Sequence, residues 1–244
     1  MIFNPFPTYK NGNLTFDDGR QLLREFYSIN NDVISKVKEQ SKILTESFEN
    51  KSSSNDTSLF MNCILQKCET VNRNGRWYGR SILEREDRNF QELIKEGRAL
   101  GHHAHPDSSL VEFMDSSHRV VRTWWNDNTL MGKIEILSSP GYFKFGICSM
   151  PGDTILDLLR KGVKMGISSR GVGSLQESSG KNMVQDDFEL ICYDLVSSPS
   201  TPGAFLYDTD ETQEMAENIQ EQIEKTTFKN HTNSLLNNLD NFLK

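Results

Sequence analysis

Arg119-Val120-Val121-Arg122-Thr123-Trp124-Trp125-Asn126-Asp127-Asn128-Thr129-Leu130-Met131-Gly132-Lys133-Ile134-Glu135-Ile136-Leu137 is the stretch that settles the fold class. Two runs rich in β-branched and aromatic residues flank a polar Asn-Asp-Asn break, the pattern of a β-hairpin. Moving outward, residues 59–68 form another apolar run and predict a strand. Asn72-Arg73-Asn74-Gly75 predicts a turn, because Asn-Gly tolerates positive φ. Residues 81–96 carry Ile82, Leu83, Phe90, Leu93 and Ile94 at helical spacing. Asp153 can cap a short helix over Ile155, Leu156, Leu158 and Leu159, which Gly162 can end. Residues 165–167 and 188–196 predict further strands. Many strands with two or three helices predict an α+β domain, a bent antiparallel sheet or closed β-barrel flanked by helices.

The flanks differ in composition. Leu22, Phe26, Ile29, Val33 and Val37 recur at steps of three and four, which predicts a helix with Asp17 or Asp18 at its start. The run Glu49-Asn50-Lys51-Ser52-Ser53-Ser54-Asn55-Asp56 is too polar to bury and predicts a linker. Met215, Ile219 and Ile223, then Leu235, Leu236, Leu239, Phe242 and Leu243, predict helix again at the C-terminal end. Three zones result: a helical extension and linker over 1–57, a core over 58–207 that holds all three Trp and four of the five His, and a helical tail over 208–244. The two end zones fit docking or assembly rather than chemistry.

Composition narrows the function. Among 244 residues, 27 are basic and 34 acidic, a net charge of −7, so general attraction to nucleic acid or anionic lipid is not expected. Hydrophobic residues are only 36% of the chain, which fits a core with exposed helical ends. No run approaches the ~18 apolar residues of a membrane span, and the first residues lack the basic and apolar regions of a secretory signal. Cys63, Cys68, Cys148 and Cys192 lack paired zinc-ribbon spacing and are expected to be reduced thiols.

Three clusters could carry chemistry. In Gly101-His102-His103-Ala104-His105-Pro106-Asp107, the order His103, His105, Asp107 would suit a metal-dependent hydrolase, because alternate residues on a strand share a face. The same cluster could be a solvated loop, or could offer one imidazole as a general base. Gly166-Ile167-Ser168-Ser169-Arg170-Gly171-Val172-Gly173-Ser174 leaves an expected strand for what reads as a glycine-rich turn. Such a turn either serves only the backbone or exposes a serine hydroxyl beside convergent amides. Asp194 is a lone carboxylate in an apolar strand, on the face of Phe188, Leu190 and Cys192. Buried, it needs a partner: an imidazole, or backbone N–H groups. Together the clusters supply a nucleophile, a base and an orienting carboxylate in the chain order His, Ser, Asp.

At these residues the sequence resembles the prohead core protein proteases of T-even-like tailed phages, capsid maturation enzymes related in fold to herpesvirus assemblin. The resemblance covers about residues 58–204: Val71 to Arg76, Arg80-Ser81-Ile82-Leu83-Glu84, Gly101 to Pro106, Trp124-Trp125, Gly166 to Leu175, then Asp194 and Pro199-Ser200. It implies a serine endopeptidase with nucleophile Ser168, general base His105 and third member Asp194, with His118 as the alternative third member. Backbone amides of Ser169, Arg170 and Gly171 are the expected oxyanion donors. No metal or other cofactor is implied. The implied partners are viral scaffold or core proteins and the major capsid protein as substrates, with self-association left open, and the implied location is inside the prohead in the infected cell. Cutting is expected after Glu in [LI]-x-E contexts. Leu44-Thr45-Glu46 and Ile219-Gln220-Glu221 lie outside the core and could be sites of self-processing, while Leu110-Val111-Glu112 and Leu175-Gln176-Glu177 lie within it. Beside this stand a metal-dependent hydrolase and a silent scaffold component.

Overall fold

A computed structural model describes residues 6–10, 13–25, 59–178 and 180–207. All of the described residues fall within one unit.

The expected hairpin is the framework of the first sheet. Ser116–Asn126 (β7) and Thr129–Ile136 (β8) pair antiparallel, with Asp127 at a φ of 48° in the connection. Leu59–Lys67 (β4) pairs with β8, and Leu100–His102 (β6) pairs with β7. Adding Leu206–Tyr207 (β13) gives the order β13-β4-β8-β7-β6. The register slips between Ile64 and Gln66 and between Val120 and Arg122. Each extra residue bends the sheet and increases its twist. Leu59, Met61, Cys63, Leu130, Met131, Ile134 and Ile136 fill the interior behind it.

The second sheet has the order β1-β2-β3-β9-β12: Thr8–Lys10, Asn13–Thr15, Gln21–Arg24, Gly166–Gly173 and Glu189–Val196. A smaller sheet joins Arg76–Trp77 (β5), Leu175–Ser178 (β10) and Lys181–Val184 (β11). Among the described residues no strand ladder joins the two larger sheets, and isolated bridges link His103 with Leu195 and Gly166 with Phe205. The closed barrel is therefore corrected to separate, mostly antiparallel sheets with few helices.

Arg80–Lys95 (α1) buries Ile82, Leu83 and Phe90, and its inward carboxylates fasten it to both large sheets. Asp87 accepts hydrogen bonds from Thr123 at 2.6 Å and from the Trp125 indole at 3.1 Å, while Glu86 accepts the Leu190 N–H at 2.8 Å. Pro140–Phe145 (α2) and Pro151–Arg160 (α3) follow β8. Asp153 lies in the first turn of α3 and gathers the N–H groups of Ser139, Ser149 and Met150.

At the N-terminal side the sequence expectation is corrected. Leu22 begins no helix; it lies in β3, with Leu14, Phe16 and Val172 as apolar neighbours. Leu22 and Leu23 are both buried because β3 is covered on its two faces, and adjacent apolar residues then mimic a helical stripe. β3 pairs with β9, so the core does not begin at residue 58. The rest of the expected helix, the polar linker and the C-terminal helices lie outside the described residues.

Candidate active site

β9 sits between β3 and β12, and every one of its residues is buried. The expected glycine-rich turn over 166–174 is corrected to this inner strand. Its glycines answer to close packing: a Cβ on Gly171 would come within 2.5 Å of the Phe188 ring and 2.7 Å of the Glu189 carbonyl.

Cross-strand pairing then assembles the site. Ser168 lies opposite Asp194, and Arg170 opposite Cys192. Directly opposed residues share a face with Cβ atoms about 5 Å apart. Asp194 Oδ2 is 2.6 Å from His105 Nδ1, and Oδ1 accepts the backbone N–H of His102 at 2.9 Å. Ser168, His105 and Asp194, far apart in sequence, are thus gathered around one carboxylate. The Ser168 hydroxyl is buried and has no hydrogen-bond partner among the described residues.

His105 arrives through β6 and the segment after it. A Cβ at position 101 would fall 2.0 Å from the Tyr193 carbonyl and 2.5 Å from the His118 ring, so glycine alone lets β6 press onto β12. Ala104 then donates its N–H to the Leu195 carbonyl at 2.7 Å, with an unusual φ of 72°. This turn aims His105 back at Asp194.

Arg170 is the functional side chain that sequence reasoning missed. Sequence reading valued only its amide, yet its guanidinium is fully buried. Nε donates to Asp194 Oδ2 at 2.8 Å, and Nη1 donates to the Ser108 and Leu110 carbonyls at 2.6 and 2.8 Å. One side chain therefore ties the carboxylate to the segment that follows His105. The signal was available: in a strand, Arg170 must share the face of Ser168. Burial alone would raise the Asp194 pKa, but the His105 hydrogen bond and the Arg170 charge outweigh it and hold the carboxyl well below the usual range. Asp194 is therefore ionised at neutral pH. Cys192 sits beside it, and burial and the neighbouring carboxylate push its thiol pKa far up, so it is no competing nucleophile.

The other histidines do different work. His102 is buried and its Nε2 accepts the Glu112 N–H at 2.8 Å, which assigns the ring hydrogen to Nδ1. Burial and the Arg170 charge lower its pKa. His103 is exposed, near the Asp115 carbonyl. His118 is fully buried, with Nδ1 3.1 Å from Ser117 Oγ, and burial pushes its pKa down to about 4. It packs over Gly101 rather than on His105.

The metal reading fails on placement. His105 Nδ1 is engaged by Asp194, and Asp107 pairs with Arg24. Among the described residues no three His, Cys, Asp or Glu side chains form a metal-holding group. Ser169, Arg170 and Gly171, the expected oxyanion donors, lie within the β9 ladder, and the Ser169 carbonyl accepts the Glu25 N–H at 3.2 Å.

A buried serine facing an ionised carboxylate, with an imidazole on that carboxylate, is the equipment of a serine hydrolase. The model of the prohead core protein serine protease family matches residues 22–217. The chain is 30% identical over 173 residues to the prohead core protein protease of Enterobacteria phage T4, covering 70% of this chain and 78% of that protein. The structure of the bacteriophage T4 capsid assembly protease, gp21, is also similar, with a TM-score of 0.52 and 29% identity over 57% of this chain and 82% of that one. The chain belongs to the prohead core protein serine protease family.

Proposed function

We propose that this enzyme cuts scaffold and capsid proteins inside the phage prohead during maturation, with Ser168 as nucleophile, His105 as general base and Asp194 as the orienting third member. The observation that carries the assignment is the 2.6 Å contact between His105 Nδ1 and an Asp194 carboxylate that stands opposite Ser168 in the sheet. Ionised Asp194 fixes the hydrogen of the neutral ring on Nδ1, leaving Nε2 as the base. Ser168 attacks a peptide carbonyl as His105 takes its proton, and His105 then returns that proton to the departing amine. Water, activated by the same ring, releases the acyl group. Arg170 acts through Asp194 and the His105 loop, as a positioning residue. The family resemblance adds a preference for Glu in [LI]-x-E contexts, with Glu46 and Glu221 as candidate self-processing points.

The test is incubation of cognate scaffold protein with the wild-type chain and with Ser168→Ala. The expected outcome is loss of cleavage by at least about 10⁵-fold with an unchanged melting transition. Scaffold cleavage that persists in a folded Ser168→Ala protein would overturn the assignment.

A further inference from the structure

His102 is a buried histidine to which the proposed reaction gives no role. It is 2% exposed, and it touches both halves of the catalytic site. Its backbone N–H donates to Asp194 Oδ1, and its ring Nε2 accepts the Glu112 N–H at 2.8 Å. A bulge sets it there. Pairing steps from Gly101 with His118 to His102 with Ser116, so that Ser117 is the extra residue on β7. A bulge re-aims the side chains beside it.

Residues 103–115 leave β6 after His102, carry His105, and return to β7 at Ser116, opposite His102. Apart from the bridge of His103 with Leu195, no strand pairing holds this loop among the described residues. Its apolar side chains give little help: Leu110 is 43% exposed, and Phe113 and Met114 are 84% exposed. Polar contacts hold it instead. Ala104 donates to the Leu195 carbonyl, and Arg170 takes the carbonyls of Ser108 and Leu110. The Ser116 hydroxyl donates to the Glu112 carbonyl at 2.8 Å, while His102 takes the Glu112 N–H. The two residues at the neck of the loop therefore grip one peptide residue, Glu112, by its donor and its acceptor.

The grip of His102 depends on its charge. A neutral imidazole with its hydrogen on Nδ1 accepts at Nε2, whereas an imidazolium carries hydrogen on both nitrogens and accepts nothing. Protonation sets two N–H groups against each other and adds a second cation beside Arg170. The charged and titratable groups that face the ring are Arg170 from β9, Asp194 from β12, His118 from β7 and Asp115 from the end of the loop. Burial first, then the Arg170 charge, lower its pKa against the pull of the two carboxylates. The ring is neutral at pH 7 and gains its proton below about 6.5.

We infer that His102 is a positioning residue of the protease: its ring and main chain together fix the loop that carries His105 against the carboxylate that orients His105, and a proton on the His102 ring lets that loop go. This rests on the proposed protease reading of Ser168. Acid then acts twice. A proton on His105 removes the base, and a proton on His102 removes its placement, so the acid limb of log kcat/KM against pH steepens from a slope of about one towards about two.

Cleavage of cognate scaffold protein by wild type, His102→Leu and His102→Gln is followed from pH 8 down to pH 5, with hydrogen exchange of residues 103–115 measured at pH 7.5. Leucine fills the space without an acceptor. At pH 7.5 it should lower kcat about tenfold with KM unchanged. Exchange in 103–115 should quicken by about the same factor, while β7 and β8 keep their protection. Glutamine puts Oε1 near the place of Nε2 and gains no proton. It should recover most of the lost kcat and protection, with an acid limb that keeps a slope of about one. A purely structural role would cost stability and leave that slope alone. His102→Leu with the kcat and exchange of the wild type overturns the inference, and so does an acid limb of equal slope in wild type and His102→Gln. The glutamine variant decides by itself should the leucine variant fail to fold. In each case the protease reading stands, whereas a wild type that cuts no scaffold removes that reading and this inference together.

Discussion

Two buried carboxylates flank β9, and they are held in contrasting ways. Asp194 belongs to β12, and its guanidinium partner, Arg170, lies on the adjacent strand. Glu25 comes from the N-terminal side, and its donors come from a turn and from Ser200. Asp194 turns its charge toward an imidazole, while Glu25 meets only donors. The first arrangement orients a neighbouring ring, and the second ties an N-terminal strand to the body of the fold. Arg170 reaches Asp194 from the neighbouring strand, whereas Arg76 reaches Glu25 from β5 in a different sheet.

The sharpest way to break this comparison is at Asp194. Asp194→Asn removes the charge that fixes the His105 tautomer, and kcat should fall by about 10⁴-fold on an added peptide. A loss below tenfold would make Asp194 a structural acid like any other. His118, buried behind the triad, gives a second measure. Its folded pKa of about 4 lies below the unfolded value near 6.5, so the unfolded state binds the proton first on acidification. Stability due to this group is intact above pH 6.5 and falls by about 3 kcal/mol as pH drops to 4. Denaturant titrations at pH 7, 5 and 4 should show that slope, and His118→Gln should flatten it. Glu25 and Asp194, both depressed, add losses only at lower pH. The smallest effect is expected at an ion pair with an exposed carboxylate. Asp107→Asn removes an exposed partner of Arg24 and should cost less than about 1 kcal/mol in a denaturant titration. A larger loss would mean that this pair anchors β3 as firmly as the buried contacts do.

How far the sequence can be read depends on whether a segment answers to its own neighbours or to distant ones. The hairpin of β7 and β8, helix α1 and strand β12 are marked by local alternation, spacing and turn residues, and they lie where those signals put them. β3 misleads because a strand covered on both faces loses its alternation. The strand over 166–173 misleads because its glycines signal a turn, whereas here they make room for Phe188 and Pro199. Ser168, His105 and Asp194 can be named because their residue types limit the chemistry, and the family resemblance fixes which of each. The partners of Arg170 and Glu25 are invisible without the register, since only strand pairing shows which distant groups face them.

The span of Arg170 also has a consequence for timing. It joins a strand near residue 170 to carbonyls at 108 and 110 and to a carboxylate at 194. Of the proposed triad, a ribosome makes the base first, the alcohol well after it and the acid last. Until residue 194 has left the exit tunnel, a half-made polypeptide has no assembled cutting centre. On the proposed triad, the order of translation alone delays the cutting centre until residue 194 is made.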